Sequence, residues 1–251
     1  MPIERPARPM TDKLLHFPPP PCAGSDSGPL SARQIARSLG EGLCPPDSAF
    51  DQYLPAEARE SSSQHWTPLF VAARAAAWLD EFNIRTVLDV GSGAGKFCVA
   101  AALVGHCHFT GLEHRERLVM CGRSLARTFD VEKRVHFIQG VLGAVRLPAV
   151  DAYYFYNPFE ENVTLRTRID ADVELSSGRY ERDLEAVRQL LSAARSGTYV
   201  LTYNGLGGRL PAAYQTVRID RELPNVLRLW RKAAPRIVAS RGNVASSASG
   251  P

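Results

Sequence analysis

The chain has 251 residues, 45% apolar and 22% charged, with a net charge of +4 from 30 basic and 26 acidic side chains. That length suits one full α/β domain with an appendage rather than two complete domains, and the composition is ordinary for a soluble globular protein. The basic excess is small and the arginines are scattered, so charge alone gives no argument for an anionic partner.

The five cysteines, Cys22, Cys44, Cys98, Cys107 and Cys121, are odd in number and form no C-x-x-C pair. This argues against a disulfide framework and for a reducing compartment. His106-Cys107-His108 does not read as a metal site, because successive residues of a strand point to opposite faces. No stretch approaches the ~20 apolar residues that cross a bilayer. The start of the chain runs through prolines and charges instead of a leader's apolar core. The expectation is a cytoplasmic protein without membrane or metal.

Residues 1–30 carry Pro18-Pro19-Pro20-Pro21 and then Gly24-Ser25-Asp26-Ser27-Gly28. Too little apolar surface stands there to offset ordering entropy, so the segment is expected to be disordered, with a proline-rich docking peptide as the functional alternative. Residues 31–62 read as a helical extension or lid. Ser31 caps a helix to Leu39 that Gly40 ends, and a proline-broken connector follows. The main domain is expected over 63–235. Its first helix has Thr67 as N-cap and Pro68 in the first turn, with Leu69, Phe70, Ala73, Ala76, Ala77 and Phe82 on its apolar face.

Strands and helices then alternate. Strands are expected at 86–90, 107–112, 135–138, 152–156 and 198–202, and helices at 96–104, 115–129 and 180–194. That alternation predicts an α/β fold with a doubly wound, mostly parallel, Rossmann-like sheet. Thr216–Ile219 and Val226–Trp230, joined by a short turn with Pro224, add an antiparallel hairpin and bring the sheet to seven strands. Residues 236–251 read as a flexible tail.

The informative segment is Val87-Leu88-Asp89-Val90-Gly91-Ser92-Gly93-Ala94-Gly95-Lys96, a strand, a glycine turn and a helix. A dinucleotide fingerprint needs glycine where Lys96 stands. A phosphate-binding loop needs glycine at Val90 and Ser or Thr at Phe97. A turn used only for helix–strand packing is the plain alternative. What fits is D-x-G-x-G-x-G, and Thr110-Gly111-Leu112-Glu113 ends the second strand on an acid.

With these two motifs the chain resembles the class I S-adenosylmethionine-dependent methyltransferases over roughly 63–232. The resemblance implies S-adenosyl-L-methionine as cofactor. It implies that Gly91, Gly93 and Gly95 lie against the methionine and ribose, that Asp89 serves the amino-acid part, and that Glu113 takes both ribose hydroxyls. Relatives place an acid or amide after the third strand to touch adenine; here Gln139 is the candidate, with Val141 or Leu142 against the ring. After the fourth strand, Asn157-Pro158-Phe159 resembles the N-P-P-(Tyr/Phe) signature of amino-group methyltransferases with one proline missing. The implied function is N-methylation, with Asn157, Pro158 and Phe159 at the catalytic position.

The missing proline leaves a plain strand-ending turn open, with Asn157 capping and Phe159 in the core. Glu160 and Glu161 either meet a cationic substrate or form a solvated helical turn. Trp66 either covers the ligand or anchors the core, and Tyr203-Asn204-Gly205-Leu206-Gly207-Gly208 is a substrate loop or a plain turn. The methyl acceptor, whether small molecule, protein or RNA, is unknown, as is the oligomeric state. The rival class is a non-catalytic S-adenosylmethionine-binding module acting through its N-terminal extension; a nicotinamide oxidoreductase is disfavoured by Lys96.

Overall fold

The computed structural model describes residues 29–162, 169, 170, 173 and 175–234. Nearly all of the start expected to be disordered, and the whole of the tail, lie outside the described residues.

Four short helices precede the sheet: α1 (Ala32–Gly40), α2 (Asp47–Asp51), α3 (Ala56–Glu60) and α4 (Ser62–His65). Ser31 caps α1 as expected, in a reciprocal box with Gln34. The helix runs through Gly40 rather than stopping there, and the left-handed residue is Gly42. The expected connector is therefore helical in one-turn pieces. Pro46 and Pro55 stand just ahead of α2 and α3, where a missing N–H costs nothing.

Helix α5 (Leu69–Glu81) follows Pro68, but Thr67 does not cap it. Thr67 Oγ1 shares a 2.8 Å hydrogen bond with the Tyr154 hydroxyl, and Asp47 Oδ1 accepts from the Leu69 N–H at 3.0 Å. A carboxylate suits the positive end of a helix, so a cap from α2 replaces the local one.

The alternation then runs β1 (Thr86–Val90), α6 (Lys96–Val104), β2 (His108–Glu113), α7 (Glu116–Thr128), β3 (Val135–Gln139), β4 (Ala152–Phe155), α8 (Ser177–Ala193) and β5 (Tyr199–Tyr203). The chain finishes with β6 (Tyr214–Asp220) and β7 (Leu227–Lys232). One seven-stranded sheet has the order β3-β2-β1-β4-β5-β7-β6. Strands β1 to β5 pair in parallel, and β7 lies antiparallel between β5 and β6. The expected fold class holds. The order reverses between β1 and β4, the switch point at which open α/β sheets bind ligands.

Both sheet faces are covered. Helices α1, α5, α6 and α7 pack one face through Ile35, Leu79, Val99 and Leu125. Helix α8 packs the other, with Val187 and Leu191 in a cluster with Leu88, Phe155 and Val200. Truncating one such enclosed side chain to Ala costs about 2–5 kcal/mol. Among the described residues no helix is long and apolar enough to cross a membrane.

Candidate functional site

The turn after β1 is fixed from the end of β2. The N–H groups of Gly91 and Ser92 both donate to the Leu112 carbonyl at 2.9 Å. The Gly93 N–H donates to Glu113 Oε2 at 3.0 Å. Gly91 and Gly93 have φ of 77° and 53°, the left-handed region that favours glycine. Space enforces the choice as well. A Cβ on Gly91 would stand 2.7 Å from Pro158 Cβ, and one on Gly93 would stand 2.2 Å from the Trp66 ring. Gly95 is the N-cap of α6 and packs on Phe137 and Gly122.

Glu113 is 5% exposed. Its Oε1 accepts from the Arg115 N–H at 2.9 Å, so each carboxylate oxygen holds one backbone donor and keeps a second lone pair. Burial pushes its pKa up, and the two backbone donors and the Arg115 charge oppose that. Asp89, 3% exposed, alternates with Leu88 and Val90 and turns toward α6, where Cys98 Sγ donates to it at 3.3 Å. No cation pairs with Asp89 among the described residues, and burial pushes its pKa up to about 7. A buried carboxylate without a counter-ion suits a cationic ligand group.

One cavity brings the predicted residues together. Gly91, Gly93, Glu113, Asn157, Pro158 and Phe159 all line it. Asp89 lies behind the turn, in a smaller cavity shared with Ser92, Trp66 and Tyr156. Gly95 lines neither. Gln139 is exposed and outside the lining, whereas Val141 and Leu142 are in it. The Gln139 expectation is therefore corrected: at the end of its strand the side chain is exposed and outside the cavity wall.

Asn157 has φ of 39°, its N–H donates to the Gly205 carbonyl at 3.1 Å, and its Nδ2 donates to Glu160 Oε2 at 2.7 Å. Glu160 and Glu161 open a single 3-10 turn, Glu160–Asn162. Glu161 is not a solvated charge. It takes a two-pronged bond from Arg115, at 3.2 and 2.8 Å, and Arg115 Nε reaches Asp170 at 2.9 Å. Trp66 is 6% exposed and its Nε1 donates to the Ala58 carbonyl at 2.7 Å, so it is a core anchor that also roofs the glycine turn. The 203–208 loop is absent from the cavity lining and serves the site through Gly205.

Sequence reasoning missed three buried groups, Lys96, Arg115 and Asn162, and the half-buried His114. Lys96, 2% exposed, pairs with Asp51 at 2.8 Å and with Asp47, and donates to Ser62 Oγ at 3.1 Å. This ties the N-terminal helices to α6. Arg115, His114 and Asn162 stand in the cavity wall. His114 is neutral because burial holds its pKa down to about 4. Lys96 begins α6 and Arg115 caps α7, both at helix ends where the dipole opposes a cation. That misplacement was the available signal that buried acids must face them. His106 is exposed and Cys107 buried, on opposite sides, and no group of three metal-ligating side chains occurs among the described residues.

No family model and no curated protein matches the chain. Solved structures match its fold. TrmN from Thermus thermophilus superposes with a TM-score of 0.50 at 16% identity, over 69% of this chain and 51% of its own. A Klebsiella pneumoniae protein provisionally described as an O-methyltransferase gives 0.50 at 15% identity, over 81% of this chain and 97% of its own. An RNA methyltransferase from Salinibacter ruber, solved with S-adenosyl-L-homocysteine, gives 0.46 at 22% identity, over 69% and 98%. Identities this low speak for architecture and not for a shared reaction. The strand order, the switch point and the two superpositions at 0.50 agree on one conclusion: the chain has the doubly wound, Rossmann-like α/β fold on which those methyltransferases are built.

Proposed function

We propose that this chain is an S-adenosylmethionine-dependent methyltransferase acting on a nitrogen acceptor. The observation that carries the reading is Glu113. Two backbone N–H groups fix its carboxylate beside a left-handed glycine turn at the sheet's switch point, with two lone pairs left for a vicinal diol. The residues present fit the cofactor. Glu113 takes the ribose hydroxyls and Asp89, buried without a counter-ion, takes the ammonium. Ser92 Oγ, buried with no partner, adds an unused polar atom in the turn. Gly91 and Gly93 let the ligand reach the main chain.

Bound S-adenosylmethionine supplies a methyl group already activated on a sulfonium. The protein's part is then positioning more than acid–base work. Glu160 engages the Asn157 amide nitrogen, which turns the amide oxygen toward an acceptor N–H. Pro158 packs against Gly91, and Phe159 gives the acceptor an apolar wall. The N-terminal helices, latched by Lys96 and roofed by Trp66, close over the glycine turn as a lid. The presence of Asn157, Pro158 and Phe159 in the cavity lining favours an enzyme over a module that only holds the cofactor.

Calorimetric titration of the full chain with S-adenosylmethionine, S-adenosylhomocysteine and NADH tests the cofactor. Binding of both sulfur compounds without NADH is expected. Folded protein that takes neither sulfur compound would remove the basis of the proposal.

A further inference from the structure

Asn162 closes the turn after β4 and is 8% exposed. Its Nδ2 donates to Asp183 Oδ2 at 3.4 Å, and Arg179 Nε stands 3.6 Å from the same carboxylate oxygen. An ionised carboxylate only accepts, so the Asn162 NH2 faces Asp183 and its carbonyl oxygen faces away. That oxygen, Oδ1, is buried with no hydrogen-bond partner. Buried acceptors are nearly always paired, and an unpaired one in a cavity wall marks the place of an absent donor. Asn162 and Asp183 line the same cavity as Glu113, alongside the apolar Val141, Leu142 and Phe159.

We infer that Asn162, held in one orientation by Asp183, reads the exocyclic amino group of the cofactor's adenine. The inference rests on the cofactor reading above and assigns the base-reading task to a pair that the sequence left unassigned. An apolar stretch of wall with one fixed acceptor beside it has a defined preference. Adenine offers N–H donors at position 6 and an acceptor at N1. Hypoxanthine offers a carbonyl at position 6 and an N–H at N1, so its oxygen meets the Asn162 oxygen lone pair to lone pair. Such a clash discriminates more strongly than a missing contact. The reader is also separate from the ribose carboxylate, so base choice and ribose binding can be altered one at a time.

The test compares S-adenosylhomocysteine with S-inosylhomocysteine, its 6-oxo analogue, by calorimetry on the full chain. The wild type is expected to prefer the adenosyl compound by roughly ten- to a hundredfold. Asn162→Leu keeps the volume and removes the acceptor, and should bring the two affinities within about threefold. Asp183→Ala frees the amide to turn, so the ratio should fall in that chain too, which covers the case of a leucine variant that does not fold. Equal binding of both compounds by the wild type overturns the inference and leaves the cofactor reading standing. So does an unchanged ratio in either folded variant. Binding of neither compound overturns the cofactor reading and the inference with it.

Discussion

The cavity has two walls made in different ways. On the β1–β2 side the wall is main chain: two N–H groups on the Leu112 carbonyl, one on Glu113, and glycines whose side chains are excluded by Pro158 and Trp66. On the β4–α8 side it is side chain: Arg115 between Glu161 and Asp170, Asn157 on Glu160, Asn162 on Asp183. The first wall is assembled from residues within one β-α-β unit and has few ways to differ. In the second, Arg115 and Asn162 depend on partners far away in the chain, and either one left alone would be a buried charge or dipole. On the proposed reading, the first wall suits the ribose and amino-acid part of the cofactor, and the second suits the base and the acceptor.

The largest effect is expected where the side-chain wall loses its cation. Arg115→Met leaves Glu161 without its two-pronged partner, and should cost about 3 kcal/mol in urea unfolding. A cost below about 1 kcal/mol would mean the wall is held by something else. The main-chain wall should answer in binding instead. Glu113→Ala is expected to weaken S-adenosylhomocysteine about a hundredfold, and unchanged affinity would sink its assignment to the ribose. Asn157→Ala should leave that affinity within about twofold while lowering methyl transfer into cell extract by tenfold or more, following the positioning argument. Equal losses in both measurements would place Asn157 in the cofactor wall.

A further effect is a pH dependence confined to the main-chain wall. Burial raises the Asp89 pKa to about 7 from 3.8, so the folded chain holds a proton that the unfolded chain has lost between those values. Folding stability from this group is present at low pH and falls as pH rises through that window. An ammonium ligand reverses the preference, since it needs the ionised form. Affinity for S-adenosylhomocysteine should therefore drop as pH falls below about 7, by up to tenfold per unit, with proton release visible as a buffer-dependent heat. Asp89→Asn should flatten the profile. The smallest effect belongs to the exposed Arg188–Glu185 pair on α8, whose removal by Glu185→Ala should leave the melting temperature where it was.

The main-chain wall was legible and the side-chain wall was not, for a physical reason. A glycine turn between a strand and a helix, and an acid one helix and one strand later, are local features with fixed spacing. The strand and helix positions followed from periodicity with shifts of only a few residues at their ends. Thr67 failed as a cap because Asp47, twenty-two positions from Leu69, offered the stronger acceptor. Gln139 failed because it is the last residue of its strand: it has the parity of buried Val135 and Phe137, yet the covering elements stop short of it and it stands exposed outside the cavity. Asn162 and Asp183 are twenty-one residues apart on different elements, and no period or motif links them. The one trace of the buried acids in the sequence is a lysine and an arginine at the starts of two helices.

The place of β7 has a consequence for synthesis. The chain leaves the ribosome in the order β5, β6, β7, yet β7 must enter between the other two. Until Lys232 has emerged, β5 has one bare edge and β6 has no partner at all, with Val217 and Ile219 exposed along it. Unpaired strand edges are where nascent chains stick to one another. A message truncated just before Leu227 should therefore yield an aggregating product with both cavity walls already encoded, because the last strand to be translated is the one that makes the sheet safe.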